Sequence, residues 1–148
     1  MTVRVTTDNF DPGAELNAFL RMSNGAGAAT TFTGVVRSKP DDPITTLTLE
    51  CYPELAINQL SAIVEQAKTR FNLLAATIIH RYGTLAPGAP IVQVMTLAPH
   101  RAAAFEGAEF LMDYLKTDAP FWKQETGPRG TLWVEAKTED DKARARWE

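Results

Sequence analysis

Residues 91–123 read IVQVMTLAPHRAAAFEGAEFLMDYLKTDAPFWK, and this stretch changes from a strand pattern to a helix pattern within three residues. The run from 91 to 98 is almost entirely apolar and predicts a buried strand. A helix follows directly from Arg101 and ends before Pro120, because proline interrupts helical hydrogen bonding. A strand that passes straight into a helix predicts that both pack in one α+β unit.

The helix that begins at Arg101 is predicted to be amphipathic. Its apolar residues recur at helical spacing and are expected to pack on the core: Phe105, Ala108, Met112 and Leu115. Its acidic residues are expected to stay in water: Glu106, Glu109 and Asp113. Both ends of the helix are cationic, so we expect chemistry with an anionic substrate at the ends rather than along the helix.

The remaining segments extend this pattern along the chain. They predict a helix from Pro12 to Gly25, strands at 28–37 and 44–52, a long helix from Pro53 to Phe71, strands at 75–82 and 91–98, the helix from Arg101, and a strand at 131–137. Residues 1–148 are therefore predicted to form a single α+β domain with mixed, largely antiparallel sheets. The polar tail at 138–148 could depend on a partner for its order.

Composition excludes several classes of function. The 148 residues suffice for one domain, and 45% apolar residues can fill its core. The net charge of −3 argues against general nucleic-acid binding, which requires a basic face. The N-terminus lacks the apolar core of a signal peptide, and no run is long enough to span a bilayer, so we expect a soluble cytoplasmic protein without membrane contact.

The cysteine and histidine counts disfavour disulfide and zinc chemistry. Cys51 is the only cysteine, and the chain has two histidines, which is too small a set of soft ligands for a zinc site. We therefore predict no metal and no cofactor. Cys51 alternates with Leu47 and Leu49 in a predicted strand, so we expect it to be a buried packing residue.

Lys116 and Lys123 are the candidate catalytic residues. A lysine at a helix C-terminus is ordinarily a favourable surface cation, and a lysine just beyond it is ordinarily solvated. Here Tyr114, Phe121 and Trp122 surround the two lysines with apolar surface, which could desolvate an amine and wall a pocket. Position alone favours the structural interpretation, and the aromatic setting brings the catalytic interpretation level with it.

A second candidate site lies at the start of the same helix. The helix N-terminus, the His100 imidazole and the Arg101 guanidinium can converge on a phosphate, or the two side chains can be ordinary surface residues. Arg37 ends a predicted strand beside a polar loop and is either a substrate contact or a surface charge. His80 and Arg81 should point to opposite faces of a strand, so a structural role is expected for them.

Five blocks of the chain share their order and spacing with one known family. They are TFTGVVR at 31–37, LTLE at 47–50, IHRYG at 79–83, PHRAAAF at 99–105 and DYLKTDAPFWKQE at 113–125. Together they resemble the large, catalytic subunit of molybdopterin synthase over nearly the whole chain. The resemblance implies an α/β hammerhead fold and a homodimer with a small ubiquitin-like sulfur-carrier subunit at each end, which makes a heterotetramer.

The reaction that the resemblance implies transfers sulfur from the carrier's C-terminal thiocarboxylate, twice, to cyclic pyranopterin monophosphate. The cyclic phosphate opens and the dithiolene of molybdopterin forms. Because sulfur arrives on the partner, the catalytic chain needs no cysteine nucleophile. The family's two active-site lysines match Lys116 and Lys123. Arg37, His100 and Arg101 match positions that line the substrate pocket, which in the family is completed across the dimer.

Lys137 is a departure from the family pattern. Close relatives often carry arginine there, and lysine keeps the charge but loses the bidentate fork, so a substrate contact by Lys137 is an open expectation. Two alternative functions remain: a non-catalytic pterin- or nucleotide-binding module, which needs only His100 and Arg101, and a dimeric scaffold for a ubiquitin-like partner. The presence of both Lys116 and Lys123 favours the enzyme over either alternative.

Overall fold

The computed structural model describes residues 2–22, 25–134 and 137–148. The elements, in chain order, are β1 (Val3–Thr6), α1 (Pro12–Leu20), β2 (Ala28–Val35), β3 (Thr46–Glu50), α2 (Pro53–Phe71), β4 (Ala75–Arg81), β5 (Gly83–Leu85), β6 (Pro90–Ala98), α3 (Arg101–Thr117), β7 (Trp122–Gly127), β8 (Gly130–Val134) and α4 (Thr138–Ala145). Helices and strands alternate irregularly, and the α+β prediction is confirmed.

The first sheet has the strand order β1-β4-β6-β2 and carries the main core. Strand β1 pairs parallel with β4, and the other pairings are antiparallel. Helices α2 and α3 pack on this sheet, and both the helices and the strands contribute buried residues to the contact. Among these residues are Leu60, Val64, Ile78, Val94 and Leu111. Strand β2 forms one edge of the sheet, with a neighbouring strand on one side only among residues 2–22, 25–134 and 137–148.

The second sheet has the order β5-β3-β7-β8 and is antiparallel throughout. It has a smaller core, formed by Val36, Leu47, Leu49 and Leu85. The chain passes from the first sheet to the second at Gly83, whose φ of 94° is a left-handed conformation that favours glycine. This junction places the end of β4 beside the start of β7.

Local sequence signals explain where the first two helices begin and end. The Asp11 carboxylate accepts hydrogen bonds from the backbone N–H groups of Gly13 and Ala14 at 3.0 and 3.3 Å, which caps α1. Proline opens α2 at its first position, and Asn72 ends that helix in a left-handed conformation. The prediction of a helix over 53–71 is confirmed. Helix α1 ends at Leu20 rather than near Gly25, and residues 23 and 24 lie outside the described part of the chain.

Helix α3 begins at Arg101 as predicted, but it buries a different face. Phe105 is 61% exposed, so its predicted core position is wrong. The buried residues of α3 are instead Ala104, Gly107, Ala108, Phe110 and Leu111. Small residues on this face let the helix lie close to its neighbours: a Cβ on Gly107 would fall 2.8 Å from a Leu73 methyl group. The Thr96 hydroxyl donates to the Ala104 carbonyl at 2.7 Å across the same contact.

Four elements were not predicted: β1, β5, β7 and α4. Strand β7 has the polar sequence WKQETG and lies between β3 and β8, so pairing on both sides forms it rather than apolar alternation. The predicted strand at 131–137 is described as β8, which ends at Val134, and residues 135 and 136 lie outside the described part of the chain.

The polar tail at 138–148 contains α4, which packs on α3 of the same chain. The Arg144 guanidinium lies 2.8 Å from the Asp118 carboxylate, and Arg146 lies 2.7 Å from Glu109. The Trp147 indole N–H donates to Asp113 at 2.7 Å. Helix α4 has no buried residues. These polar contacts explain why the tail nevertheless has a defined position.

No helix in the described part of the chain is long and apolar enough to cross a membrane.

Candidate active site

A cavity of about 580 Å³ lies where the C-terminal end of α3 meets the start of β7. Strands β2, β4, β6 and β8 and the start of α4 also contribute to its wall. The charged and titratable residues that line it are His80, Lys116, Lys123, Lys137 and Asp140. Three lysines against one carboxylate make the cavity cationic, which suits an anionic substrate.

The segment between Lys116 and Lys123 brings the two candidate lysines to this cavity. Lys116 is in the last turn of α3, and Lys123 is the second residue of β7, where it pairs with Leu49 on one side and Val134 on the other. The chain reverses over residues 118–121 between them. The predicted convergence of the two lysines on one pocket therefore has a simple geometric origin in a helix end and a strand start.

Lys123 is not the solvated residue that its position beyond a helix would ordinarily indicate. Burial lowers the pKa of its ammonium group, the neighbouring Lys116 charge lowers that pKa further, and the Asp140 carboxylate opposes the change. A lysine with a lowered pKa exchanges a proton more readily near neutral pH than a surface lysine does.

His80 is the residue of this cavity that sequence reasoning assigned to structure alone. It is 5% exposed at the end of β4, and its ring stacks on Phe121 with 3.8 Å between ring centroids and 11° between ring planes. Its Nδ1 lies 2.8 Å from the Arg81 carbonyl oxygen. Burial lowers the His80 pKa from 6.5 to about 4, and the Lys123 and Lys116 charges act in the same direction.

Lys137 lies at the same cavity as Lys116 and Lys123. It is the residue before α4, and its side chain is exposed. Asp140, in the first turn of α4, is the acidic residue that lines the cavity among the described residues. Helix α4 therefore brings one cation and one anion to a pocket that the rest of the chain makes cationic.

Arg37, His100 and Arg101 are not brought to this cavity within one chain. All three are exposed, and the described residues that line the cavity do not include them. His100 is the N-cap residue of α3 but makes no capping hydrogen bond through its side chain. Arg101 and Lys116 lie at opposite ends of α3, roughly 22 Å apart along the helix axis at the usual rise per residue.

Cys51 lines a second, aromatic cavity of about 590 Å³ together with Tyr52, Trp122 and Trp133. The strand ends one residue before it, so Cys51 is half-buried rather than packed with the buried Leu47 and Leu49 as predicted. Burial raises the pKa of its thiol. The neutral thiol is therefore favoured, and the thiolate that a nucleophile requires is disfavoured.

Comparison with known proteins gives a consistent result. The family model described as MoaE protein matches residues 5–118. The molybdopterin synthase catalytic subunit of Rhizobium meliloti (strain 1021) is 49% identical over 149 residues, covering 99% of this chain and 96% of the relative. The corresponding subunit of Escherichia coli (strain K12) is 49% identical over 122 residues, covering 82% of this chain and 81% of the relative.

Solved structures show the same likeness in the fold. The molybdopterin biosynthesis MoaE protein from Burkholderia ambifaria MC40-6 superposes with a TM-score of 0.83 at 44% identity, covering 99% of this chain and 97% of that protein. Molybdopterin synthase from Staphylococcus aureus superposes with a TM-score of 0.82 at 22% identity, covering 91% and 98%, and supports the fold alone. The chain belongs to the MoaE family of molybdopterin synthase catalytic subunits.

Proposed function

We propose that this chain transfers sulfur from the thiocarboxylated C-terminus of a small ubiquitin-like carrier to cyclic pyranopterin monophosphate. The observation that carries the proposal is the convergence of Lys116 and Lys123 on one cationic cavity. Cys51 lies outside that cavity and is favoured as a neutral thiol. The geometry therefore suits sulfur that is delivered by a partner rather than by a cysteine of this chain.

The proposed transfer balances as follows. The thiocarboxylate sulfur attacks a carbon of the pterin side chain and displaces the oxygen bonded to that carbon, and water then hydrolyses the bond between that sulfur and the carrier's carbonyl carbon. The carrier leaves as a carboxylate, and the sulfur stays on the pterin. A second carrier repeats the step at the neighbouring carbon. At one of the two carbons the displaced oxygen belongs to the phosphate, so the cyclic phosphate opens to a monoester; at the other, which is at the carbonyl level, the oxygen leaves as water, and proton loss then gives the dithiolene without a net change of oxidation state.

The two lysines are proposed to act on different partners in this step. Lys116, at the end of α3, holds the anionic thiocarboxylate and stabilises charge that develops on its carbonyl oxygen. Lys123 has the lowered pKa and is the better candidate for proton transfer at the pterin. Lys137 lines the same cavity and is proposed to contact the substrate as a point charge.

A carrier subunit and a second copy of the chain complete the proposed assembly. A structural relative from Helicobacter pylori 26695 is described as a protein–protein complex of subunits 1 and 2 of molybdopterin-converting factor. In this chain, Phe32 and Val35 are exposed on the edge strand β2, and both line the lysine cavity. A partner at this edge would cover apolar surface and deliver its C-terminus to Lys116.

The remaining candidate residues are proposed to reach the substrate across a homodimer. Arg37, His100 and Arg101 are exposed and outside the cavity of their own chain. If the α3 N-terminus of one chain faces the lysine cavity of the other, His100 and Arg101 can hold the substrate phosphate. Two chains and two carriers then form a heterotetramer.

Reconstitution tests the proposed function. The full-length chain, the thiocarboxylated carrier and cyclic pyranopterin monophosphate are mixed and assayed for molybdopterin, with a carrier that ends in an ordinary carboxylate as the control. We expect product only with the thiocarboxylate. Binding of pterin without product would support a binding module, and binding of the carrier alone would support a scaffold.

A further inference from the structure

The wall of the lysine cavity contains a buried imidazole that the proposed reaction does not yet use. His80 lies at the end of β4, pairs in register with Val92 of β6, and is covered by the Phe121 ring. Phe121 belongs to the segment that connects Lys116 to Lys123. One side chain of the first sheet therefore contacts the chain reversal that sets the spacing of the two lysines.

We propose that His80 is a positioning residue of the active site: as a neutral ring fixed by the Arg81 carbonyl, it holds Phe121 and thereby keeps Lys123 in the cavity. This proposal rests on the assignment of Lys116 and Lys123 as the working lysines of the proposed sulfur transfer. It concerns a residue that itself makes no bond to the carrier or the pterin.

The hydrogen bond at Nδ1 determines the state of the ring. The Arg81 carbonyl oxygen can only accept, so Nδ1 carries the proton, and a neutral ring then has Nε2 as its unprotonated acceptor. The charged groups that share the cavity are Lys116 on α3, Lys123 on β7, and Lys137 and Asp140 at α4. A protonated His80 would add a fourth positive charge against one carboxylate, which the buried site disfavours.

The stack transmits the position of His80 to Lys123. The Phe121 backbone N–H donates to the Ala119 carbonyl at 2.8 Å, which makes 119–121 a tight turn. The flat contact with His80 fixes the orientation of the Phe121 ring, and β7 begins at the next residue. Loss of that contact would free the turn and admit water to Lys123, and the pKa depression of that lysine would decrease.

The test compares three variants of the full-length chain. His80→Asn keeps a donor for the Arg81 carbonyl but removes the stack, whereas His80→Phe keeps a flat ring on Phe121 without the hydrogen bond. Gln93→Leu is the matched control, because Gln93 is a buried polar residue of the same sheet. His80 pairs with Val92, the residue before Gln93. Alternation along β6 places Gln93 on the opposite face of the sheet.

The direct measurement is an NMR titration of the Lys123 side chain without carrier or pterin. We expect His80→Asn to raise the Lys123 pKa toward that of a solvated lysine, and His80→Phe and Gln93→Leu to leave it near the wild-type value. In single-turnover assays the rate should fall about tenfold or more in His80→Asn and recover in large part in His80→Phe. If His80→Phe does not fold, the difference in Lys123 pKa between His80→Asn and Gln93→Leu still tests the proposal.

Nitrogen NMR of the imidazole gives an independent reading. We expect the neutral Nδ1–H tautomer between pH 6 and 8, and a cationic ring in that range would overturn the proposal. An unchanged Lys123 titration in His80→Asn, with a lowered melting temperature, would also overturn it and leave His80 as a packing residue. If the wild-type chain makes no molybdopterin but the Lys123 titration responds as expected, the proposed function fails and the positioning role stands.

Discussion

The two ends of helix α3 carry cationic residues in different environments. At the C-terminal end, the exposed Lys116 and the half-buried Lys123 line a cavity with a buried imidazole in its wall. At the N-terminal end, His100 and Arg101 are exposed and make no capping contact through the His100 side chain. The cavity at the C-terminal end is formed by one chain, whereas the N-terminal end has residues that can bind an anion but lies outside the cavity. The difference fits the proposal that a complete site combines unlike ends from two chains.

The largest expected loss of activity is at the C-terminal end of α3. Lys116→Ala and Lys123→Ala should each fold, dimerise and bind the carrier, because a lysine at a helix end such as Lys116 contributes only about 0.3 to 1 kcal/mol to stability, and burial already disfavours the charge of Lys123. Each should lose most product formation, since positioned acid–base groups and charge stabilisers typically contribute about a hundredfold or more. Single-turnover assays with preformed thiocarboxylated carrier measure the loss.

The matched control for these variants is Lys142→Ala, an exposed lysine of α4 outside the cavity. If the two lysines act as one reaction unit, the double variant should be much less impaired than the product of the single losses predicts. Independent multiplicative losses would argue against joint action. Near-normal rates in both single variants would refute the proposed active site.

The burial of His80 in the wall of the lysine cavity should also make the stability of the chain depend on pH. The His80 pKa is lowered from 6.5 to about 4 in the folded chain, so the unfolded chain binds more protons between these values. The contribution of neutral His80 to the free energy of unfolding is therefore complete above about pH 6.5 and decreases as the pH falls toward 4. The expected contribution is about 3 kcal/mol.

Urea unfolding of wild type and His80→Phe at several pH values between 7 and 4 measures this contribution. The variant lacks the titrating group, so its stability should fall less over the same range. Parallel pH profiles for the two chains would show that His80 is not the buried neutral ring described above.

The exposed end should matter for substrate affinity. Arg101→Ala should weaken binding of cyclic pyranopterin monophosphate by about 1.5 to 3 kcal/mol, which is typical for a charge-assisted contact, and should leave carrier binding unchanged. Calorimetry with substrate and with carrier separates the two effects. Unchanged substrate affinity would remove Arg101 from the site.

Mixed dimers sharpen the same comparison. If the site combines two chains, Lys123→Ala and Arg101→Ala chains in one dimer form one site with both defects and one site with neither. Mixed dimers isolated from the two variants should therefore have about half of the wild-type activity, and a fully exchanged mixture about a quarter. No activity in isolated mixed dimers would place Arg101 and Lys123 of one chain in the same site.

The two ends also differ in how far sequence could predict them. The lysines could be found because a helical stripe, Pro120 and the family's blocks all lie within one local segment. The wrong face assigned to Phe105 shows the limit of periodicity, since small residues at 104, 107 and 108 set the actual contact with the sheet. The buried face of α3 thus combines small residues that allow close approach with the large Phe110 and Leu111.

His80 and β7 depended on contacts that are distant in sequence. His80 meets Phe121 only after the two sheets have formed, and β7 is a strand because β3 and β8 flank it. One sequence feature pointed to the burial of His80: the run AATII before it is apolar except for Thr77, which is typical of a strand buried on both faces. A titratable residue that ends such a strand is a candidate for burial rather than a surface residue.

The smallest expected effect concerns Cys51, which belongs to neither end of α3. Cys51→Ala should retain sulfur transfer, because the thiol lies in the aromatic cavity and burial raises its pKa. The half-buried side chain should cost about 1 kcal/mol of stability or less. Single-turnover assays and urea unfolding measure the two quantities. A folded, carrier-binding Cys51→Ala chain without turnover would contradict delivery of sulfur by the carrier, and the comparison of the two helix ends would then omit a participant in the reaction.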